Sequence, residues 1–300
     1  MGKPTFLFIV SLLFSFPFLS GGVELSMENQ FLISMLLVFT IGIAHGSVDN
    51  ILYLDKSTIK PLTFYLVYLF LVAVYATIWF IFPIFAISSF LLISAYHFGQ
   101  SQLTDCFKNT RLINRLLYIS WGFALLSALL NIQFDEILAV LQSYSDLQVF
   151  ASVFVPAQIY NLHVVSTAVT VTLLIYLAVT KQVKVSRMGF EFFLLILLNV
   201  SFAALPALLG FTMYFVFLHS LKVLEDEFKF LEKKDRVHVL SFIKKLIPNT
   251  VISIAGTLII FAGIHFDYIN LSYGFILLVL ISSITFPHVF VMEKFYAPNA

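Results

Sequence analysis

The sequence predicts an all-α, polytopic integral membrane protein with about ten transmembrane helices. Three observations carry this. Of the 300 residues, 60% are hydrophobic and only 11% charged, against roughly 25% charged in a typical soluble domain. Mean hydropathy is +0.99. The apolar residues form continuous runs close to the ~20 that carry a helix across a bilayer, rather than the ~10-residue alternating segments of a membrane β-barrel.

Ten apolar segments are expected, at 5–20, 30–49, 61–82, 83–99, 112–132, 163–180, 188–205, 206–222, 247–264 and 271–292. The first, in "MGKPTFLFIVSLLFSFPFLSGG", is a first span or a signal-like segment: one Lys, a short apolar core, then small residues. We read it as a span, because the orientation below works with it retained. Spans three and four meet at Phe82-Pro83, and seven and eight at Leu205-Pro206. Proline suits a first helical turn and disfavours helix in the residue before it, so each junction predicts a sharp hairpin. Residues 133–162 are too polar for a span and read as an amphipathic or re-entrant stretch. The charged stretch 222–245, with both signs mixed, reads as a loop. With no internal repeat and no soluble region, residues 1–300 read as a single membrane domain.

Orientation follows from the cationic residues. All 17 Lys and Arg fall on one side of this map: Lys3, Lys56 and Lys60, Lys108 to Arg115, Lys181 to Arg187, Lys222 to Lys245, and Lys294. The alternate loops hold Glu24, Glu28, Asp135, Glu136, Asp146 and Asp267. A multi-pass cell-membrane protein with both termini cytoplasmic is expected.

Net charge is +1, so no nucleic-acid footprint is visible. A lone cysteine, Cys106, excludes an internal disulfide and a Cys-rich metal site. There is no Gly-rich phosphate loop and no GxSxG elbow. The 35 Phe and 13 Tyr suit a lipid-facing surface or an internal tunnel for a long apolar ligand; composition does not separate the two.

The map places four histidines at one depth. His45, His97, His219 and His288 lie near the cytoplasmic ends of spans two, four, eight and ten, which run in the same direction. His163 and His265 fall at the outer face and His238 in the charged stretch. Ionisable side chains in spans usually face a partner or a function. Imidazole is the commonest metal ligand, and ligands from separate helices converge on one ion in bundle proteins. The plainer alternative is that each ring reaches the interface or hydrogen-bonds a neighbouring helix. Asp49 is four residues after His45, where both share a helix face. There it would accept the free ring N–H of a ligand histidine, or simply mark the end of the span.

The motifs "HGSVDN" (45–50), "SAYHFGQSQ" (94–102), "YFVFLHSLK" (214–222) and "FPHVFV" (286–291) resemble, in order and spacing, the Brp/Blh family of β-carotene 15,15′-dioxygenases. The resemblance covers residues 30–292, which would form the oxygenase-like core. It implies a membrane enzyme that cleaves the central double bond of β-carotene with O₂, giving two molecules of all-trans-retinal. It implies Fe(II) as cofactor and His45, His97 and His219 as catalytic iron ligands. The family's fourth ligand lies four residues after the third, where this chain has Val223, and Asn50 stands where the family often has His. Three outcomes stay open: three His plus water, His288 as fourth ligand, or loss of the metal. Expected partners are the carotenoid, O₂, the lipid bilayer and a retinal-binding rhodopsin as product acceptor. The alternative is a divergent, catalytically impaired homologue acting as a carotenoid- or retinal-binding or transport protein.

Overall fold

The computed structural model describes residues 2–20, 25–107 and 112–297. Glu24, Lys108 and Arg111, used above for orientation, lie outside the described residues. The described chain is helical throughout and holds no strand, giving an all-α polytopic membrane fold. Eight helical segments are long and apolar enough to cross a bilayer: Met27–Asp55, Pro61–Ile81, Leu112–Ile132, Pro156–Val179, Val185–Ala204, Ala207–Asp235, Val239–His265 and Tyr273–Tyr296. The other two expected spans are also helices. The first, α1 (Lys3–Ser20), belongs with the shorter apolar helices. The other, Pro83–Leu103, ends in the polar run around His97 and Gln100–Gln102.

The chain divides into two compact units, one made mainly of Val23–Ile81 and Thr212–Phe295, the other mainly of Phe82–Phe211. In the first unit, α2 (Met27–Leu37) passes through a π-helical turn, Val38–Gly42, and a 3₁₀ turn, Ile43–Gly46, before α3 (Asp49–Asp55) resumes. Next comes α4 (Pro61–Ile81), whose buried face is Phe64, Tyr75 and Trp79. That face runs along α14 (Tyr273–Tyr296): Trp79 Nε1 donates to Ser282 Oγ at 2.6 Å, and Tyr75 stacks on Phe286 at 4.8 Å. Four residues on one helix match four on the other, so the pair is locked in register. The C-terminal carbonyls of α14 are capped by Lys56 Nζ, 3.3 Å from Lys294 O and 3.0 Å from Phe295 O.

In the second unit, α5 (Pro83–Leu103) crosses α6 (Leu112–Ile132). A Cβ on Gly99 would fall 1.9 Å from Tyr118 O, and one on Gly122 would fall 1.8 Å from Ala95 O. The two backbones touch, which only glycine permits. Residues 133–162 form two short helices, α7 (Phe134–Ser143) and α8 (Gln148–Ala151), and the start of α9 (Pro156–Val179). The amphipathic α7 buries no residue. A turn at Leu205-Pro206 joins α10 (Val185–Ala204) to α11 (Ala207–Met213). Gln133 Nε2 donates to Phe202 O and Leu205 O at 2.5 and 2.9 Å, and Ala207 N–H donates to Glu136 Oε2 at 2.9 Å. The polar residues of the 133–162 stretch thus satisfy the backbone groups that the proline junction frees.

One expectation is corrected. Residues 222–245 are helix rather than loop: α12 (Leu221–Asp235) runs straight on from the preceding span, and α13 begins at Val239 (Val239–His265). The mixed charges pair along the helix, Lys222 with Asp226 at 3.2 Å and Glu225 with Lys229 at 2.7 Å. Such i,i+4 pairs support helix rather than disrupt it.

A buried carboxylate also ties the second unit. Glu191, on α10, is fully buried. It accepts from Gln102 Nε2 at 3.0 Å and Trp121 Nε1 at 3.1 Å, and pairs with Arg187 Nε at 3.0 Å. Arg187 Nη2 also donates to Gln102 O at 2.7 Å, closing the end of α5. Removing one partner of such a pair costs roughly 3–5 kcal/mol. Glu191→Ala is therefore expected to lower the unfolding midpoint in detergent far more than Glu191→Gln, which keeps an acceptor for Gln102 and Trp121.

Candidate metal centre

Three of the four candidate histidines come together within the first unit. The His45 ring lies 5.3 Å from His219 and 5.0 Å from His288, centroid to centroid, edge-on to both. All three are buried. His45 and His288 bring ring nitrogens within 4.8 Å of each other. His45 and His288, both buried, offer imidazole donors close enough to share one ion of Fe, Zn, Cu or Ni.

Each ring sits at a departure from regular helix, where a π turn or a proline re-aims a side chain. His45 lies in the 3₁₀ turn Ile43–Gly46. Its Nδ1–H donates to Gly42 O; a carbonyl only accepts, so Nε2 carries the lone pair. The break after it is held by α13: Asn249 Nδ2 donates to Ser47 O at 2.7 Å, and the Ser47 and Thr250 hydroxyls meet at 2.7 Å. Backbone released inside a membrane needs such partners. His219 lies in the π turn Tyr214–Ser220 and stacks on Phe215 at 5.6 Å. Phe215 in turn packs on Gly42, where a Cβ would fall 2.9 Å from its Cε1. His288 directly follows Pro287, inside α14.

Asp49 belongs to His288 and not to its own neighbour His45. His288 Nδ1 lies 2.9 and 3.0 Å from the two Asp49 oxygens. The i,i+4 relation to His45 fails because the helix is broken between them, Val48 having φ −108° and ψ 13°. The second Asp49 oxygen also accepts from Tyr68 Oη at 3.0 Å. A carboxylate holding the far N–H of a histidine orients the ring and raises the basicity of its other nitrogen.

His97 belongs to the second unit, buried at 2% exposure on α5 between the two glycine crossings. Val223 is fully buried on α12, one turn beyond His219. Glu227, a further turn along the same stripe, is also fully buried. Of the remaining histidines, His163 and His265 are on α9 and at the end of α13, and His238 precedes α13. Cys106 is no ligand-like thiolate: burial pushes its thiol up to about 12, with Arg187 opposing and Asp105 adding to the rise.

Sequence reasoning passed over Tyr68 and Glu191, and placed Glu227, which is fully buried, in the charged stretch read as a loop. For the two glutamates a signal existed. Glu191 is a carboxylate inside an apolar run, four residues after Arg187, and Glu227 continues the His219–Val223 spacing. Tyr68, in an aromatic-rich span, carries no mark in the sequence.

The sequence profile described as "Beta-carotene 15,15'-dioxygenase" matches residues 36–296. No curated protein and no solved structure matches the chain.

Proposed function

The chain belongs to the β-carotene 15,15′-dioxygenase family, matched over residues 36–296, and from that premise we propose that it cleaves β-carotene with O₂ at the central double bond to two all-trans-retinal. The observation that carries the reading is the buried His45–His219–His288 cluster with Asp49 behind it. Its imidazole donors fit iron, and Fe(II), when bound, supplies the centre at which O₂ is activated beside an electron-rich polyene. His45, His219 and His288 would hold the ion. His97 joins them as a ligand on the strength of the "SAYHFGQSQ" motif. In this reading His288 takes the place of the family histidine that Val223 replaces.

The rest of the chemistry falls to the scaffold. β-Carotene is about as long as the ~30 Å hydrocarbon core in which it dissolves, so it enters sideways between helices. One C=C bond breaks and two C=O bonds form, with both oxygen atoms of O₂ in the products and no proton consumed. The residues therefore have to bind, orient and keep water out; Asp49 holds the proton on His288 Nδ1. The uniform placement of the 17 cationic residues supports cytoplasmic termini, and a retinal-binding rhodopsin is the natural acceptor of the product.

The test is expression in carotene-accumulating cells. Loss of orange colour and retinal by chromatography are expected; persistent colour without retinal would count against the activity. Val223 motivates a second reading, a non-catalytic carotenoid- or retinal-binding protein. Under that reading the purified protein binds the pigment but contains no iron.

A further inference from the structure

We propose that Gln30 and Ser34 form a hydroxyl-binding subsite for one end ring of the substrate, which extends the substrate class to carotenoids carrying a ring hydroxyl. The proposal rests on the reading of the chain as a carotenoid oxygenase. Gln30 and Ser34 lie one turn apart on α2, so their side chains share a face. They are 7% and 0% exposed. Gln30 Nε2 donates to Leu25 O at 3.0 Å, which fixes the amide, yet its Oε1 and the Ser34 hydroxyl have no hydrogen-bond partner among the described residues. A hydroxyl inside a helix commonly turns back onto the carbonyl one turn before it. Thr40, Thr250, Thr257 and Ser282 all do so. Ser34 does not, and an unsatisfied polar group in a bilayer costs free energy.

The pair complements an alcohol. A ligand hydroxyl both donates and accepts: its hydrogen goes to Gln30 Oε1 and its oxygen takes the Ser34 hydrogen. Aromatic side chains beside the pair suit a ring: Phe31, next to Gln30 on α2, has its ring 6.2 Å from Phe261 and 6.3 Å from Tyr273, which are 5.2 Å apart. The distance to the metal centre agrees. Eleven residues separate Ser34 from His45, about 16 Å along the axis at 1.5 Å per residue. Half of a polyene as long as the ~30 Å hydrocarbon core is about 15 Å. With the central double bond at the metal centre, a hydroxyl on the end ring therefore reaches Ser34. The helices α2 and α14 run side by side over this length, from Phe31–Tyr273 at 6.3 Å to His45–His288 at 5.0 Å. β-Carotene has no polar atom and leaves both groups unsatisfied, and a site built to hydrogen-bond a hydroxyl discriminates against the analogue that lacks it. Cleavage of a carotenoid with one ring hydroxyl gives one retinal and one ring-hydroxylated retinal, by the same exchange of one C=C for two C=O bonds.

The test is a competition between two pigments. Purified protein in detergent is offered an equimolar mixture of β-carotene and β-carotene with one ring hydroxyl, repurified by size exclusion, and its bound pigment is read by chromatography. The wild type is expected to retain the hydroxylated pigment in an excess of about fivefold or more, the size of one hydrogen bond. Ser34→Ala, which suits a helix, and Gln30→Met, which keeps the side-chain length without the carbonyl, are each expected to lower that excess several-fold, with unchanged elution showing that they fold. Equal retention of the two pigments by the wild type, an excess unmoved by either variant, or no pigment retained at all overturns the proposal. Cleavage is read separately, as aldehyde products in cells accumulating the same two pigments. Enrichment without any aldehyde leaves the subsite standing and removes the oxygenase reading; aldehyde products without enrichment do the reverse.

Discussion

Alanine at Gly99 is expected to keep the protein from reaching its native fold. The added Cβ would stand 1.9 Å from the Tyr118 carbonyl oxygen and 2.6 Å from its carbon, and the mirror contact at Gly122 reaches Ala95 O at 1.8 Å. These are backbone atoms, so no side chain can rotate away; α5 and α6 must separate. Overpacking against movable side chains costs roughly 1–3 kcal/mol, and here the cost exceeds that range. Gly99→Ala and Gly122→Ala should each give a strongly reduced yield of monodisperse protein and a lower unfolding midpoint in detergent. Gly189 and Gly256, with nothing within 4 Å of an added Cβ, serve as controls that alanine should leave unchanged. A normal midpoint for Gly99→Ala would mean that the helices do not cross where they are placed.

Alanine at His288 is expected to remove iron and retinal production together. If His288 is a ligand braced by Asp49, its loss takes away one donor and leaves a buried carboxylate holding only the Tyr68 hydroxyl. Disturbing even the group behind a ligand typically lowers metal affinity 10–100-fold, so a fall of at least tenfold in iron per chain is expected for His288→Ala. Val223→His provides the counter-experiment. Where His288 completes the site, a second histidine one turn beyond His219 adds little, and iron content stays within about twofold. A large gain in iron from Val223→His, with no loss from His288→Ala, would show instead that the natural site lacks its fourth ligand and that His288 is only a core residue.

The spans were legible because a bilayer demands long apolar runs, and these leave their mark residue by residue. The prolines at 83 and 206 gave the helix starts for the same local reason. The common depth expected of His45, His97, His219 and His288 came from counting spans and the side of their charges; within the first unit the rings of His219 and His288 both lie against His45. What did not follow was anything resting on a departure from ideal helix. The pairing of Asp49 with His45 assumed a 3.6-residue period across 45–49, whereas the chain there is 3₁₀ and turn. The 222–245 segment was misread because charge was taken as a sign of loop, although pairs such as Lys222–Asp226 have the spacing of a helix surface. Glu191 was legible in principle as a carboxylate in an apolar run, but its partners Gln102 and Trp121 lie far off in sequence.

The π turns carry a consequence for how this chain tolerates change in length. A π turn is an α-helix with one residue too many for its hydrogen-bond pattern. Deleting a single residue within Tyr214–Phe217 would let that segment relax to ordinary helix without any loss of apolar character. Because the π turn is underwound by about that one residue, α12 beyond it would keep its direction, and Val223, Glu227 and Leu231, now one buried stripe, would stay on their face. A deletion in the regular helix of α12 has no such slack and would turn everything after it by about 100°. Val38–Gly42 gives the same slack to the chain that follows it. The π turns are the places where this chain can lose one residue without rotating the helix face that comes next.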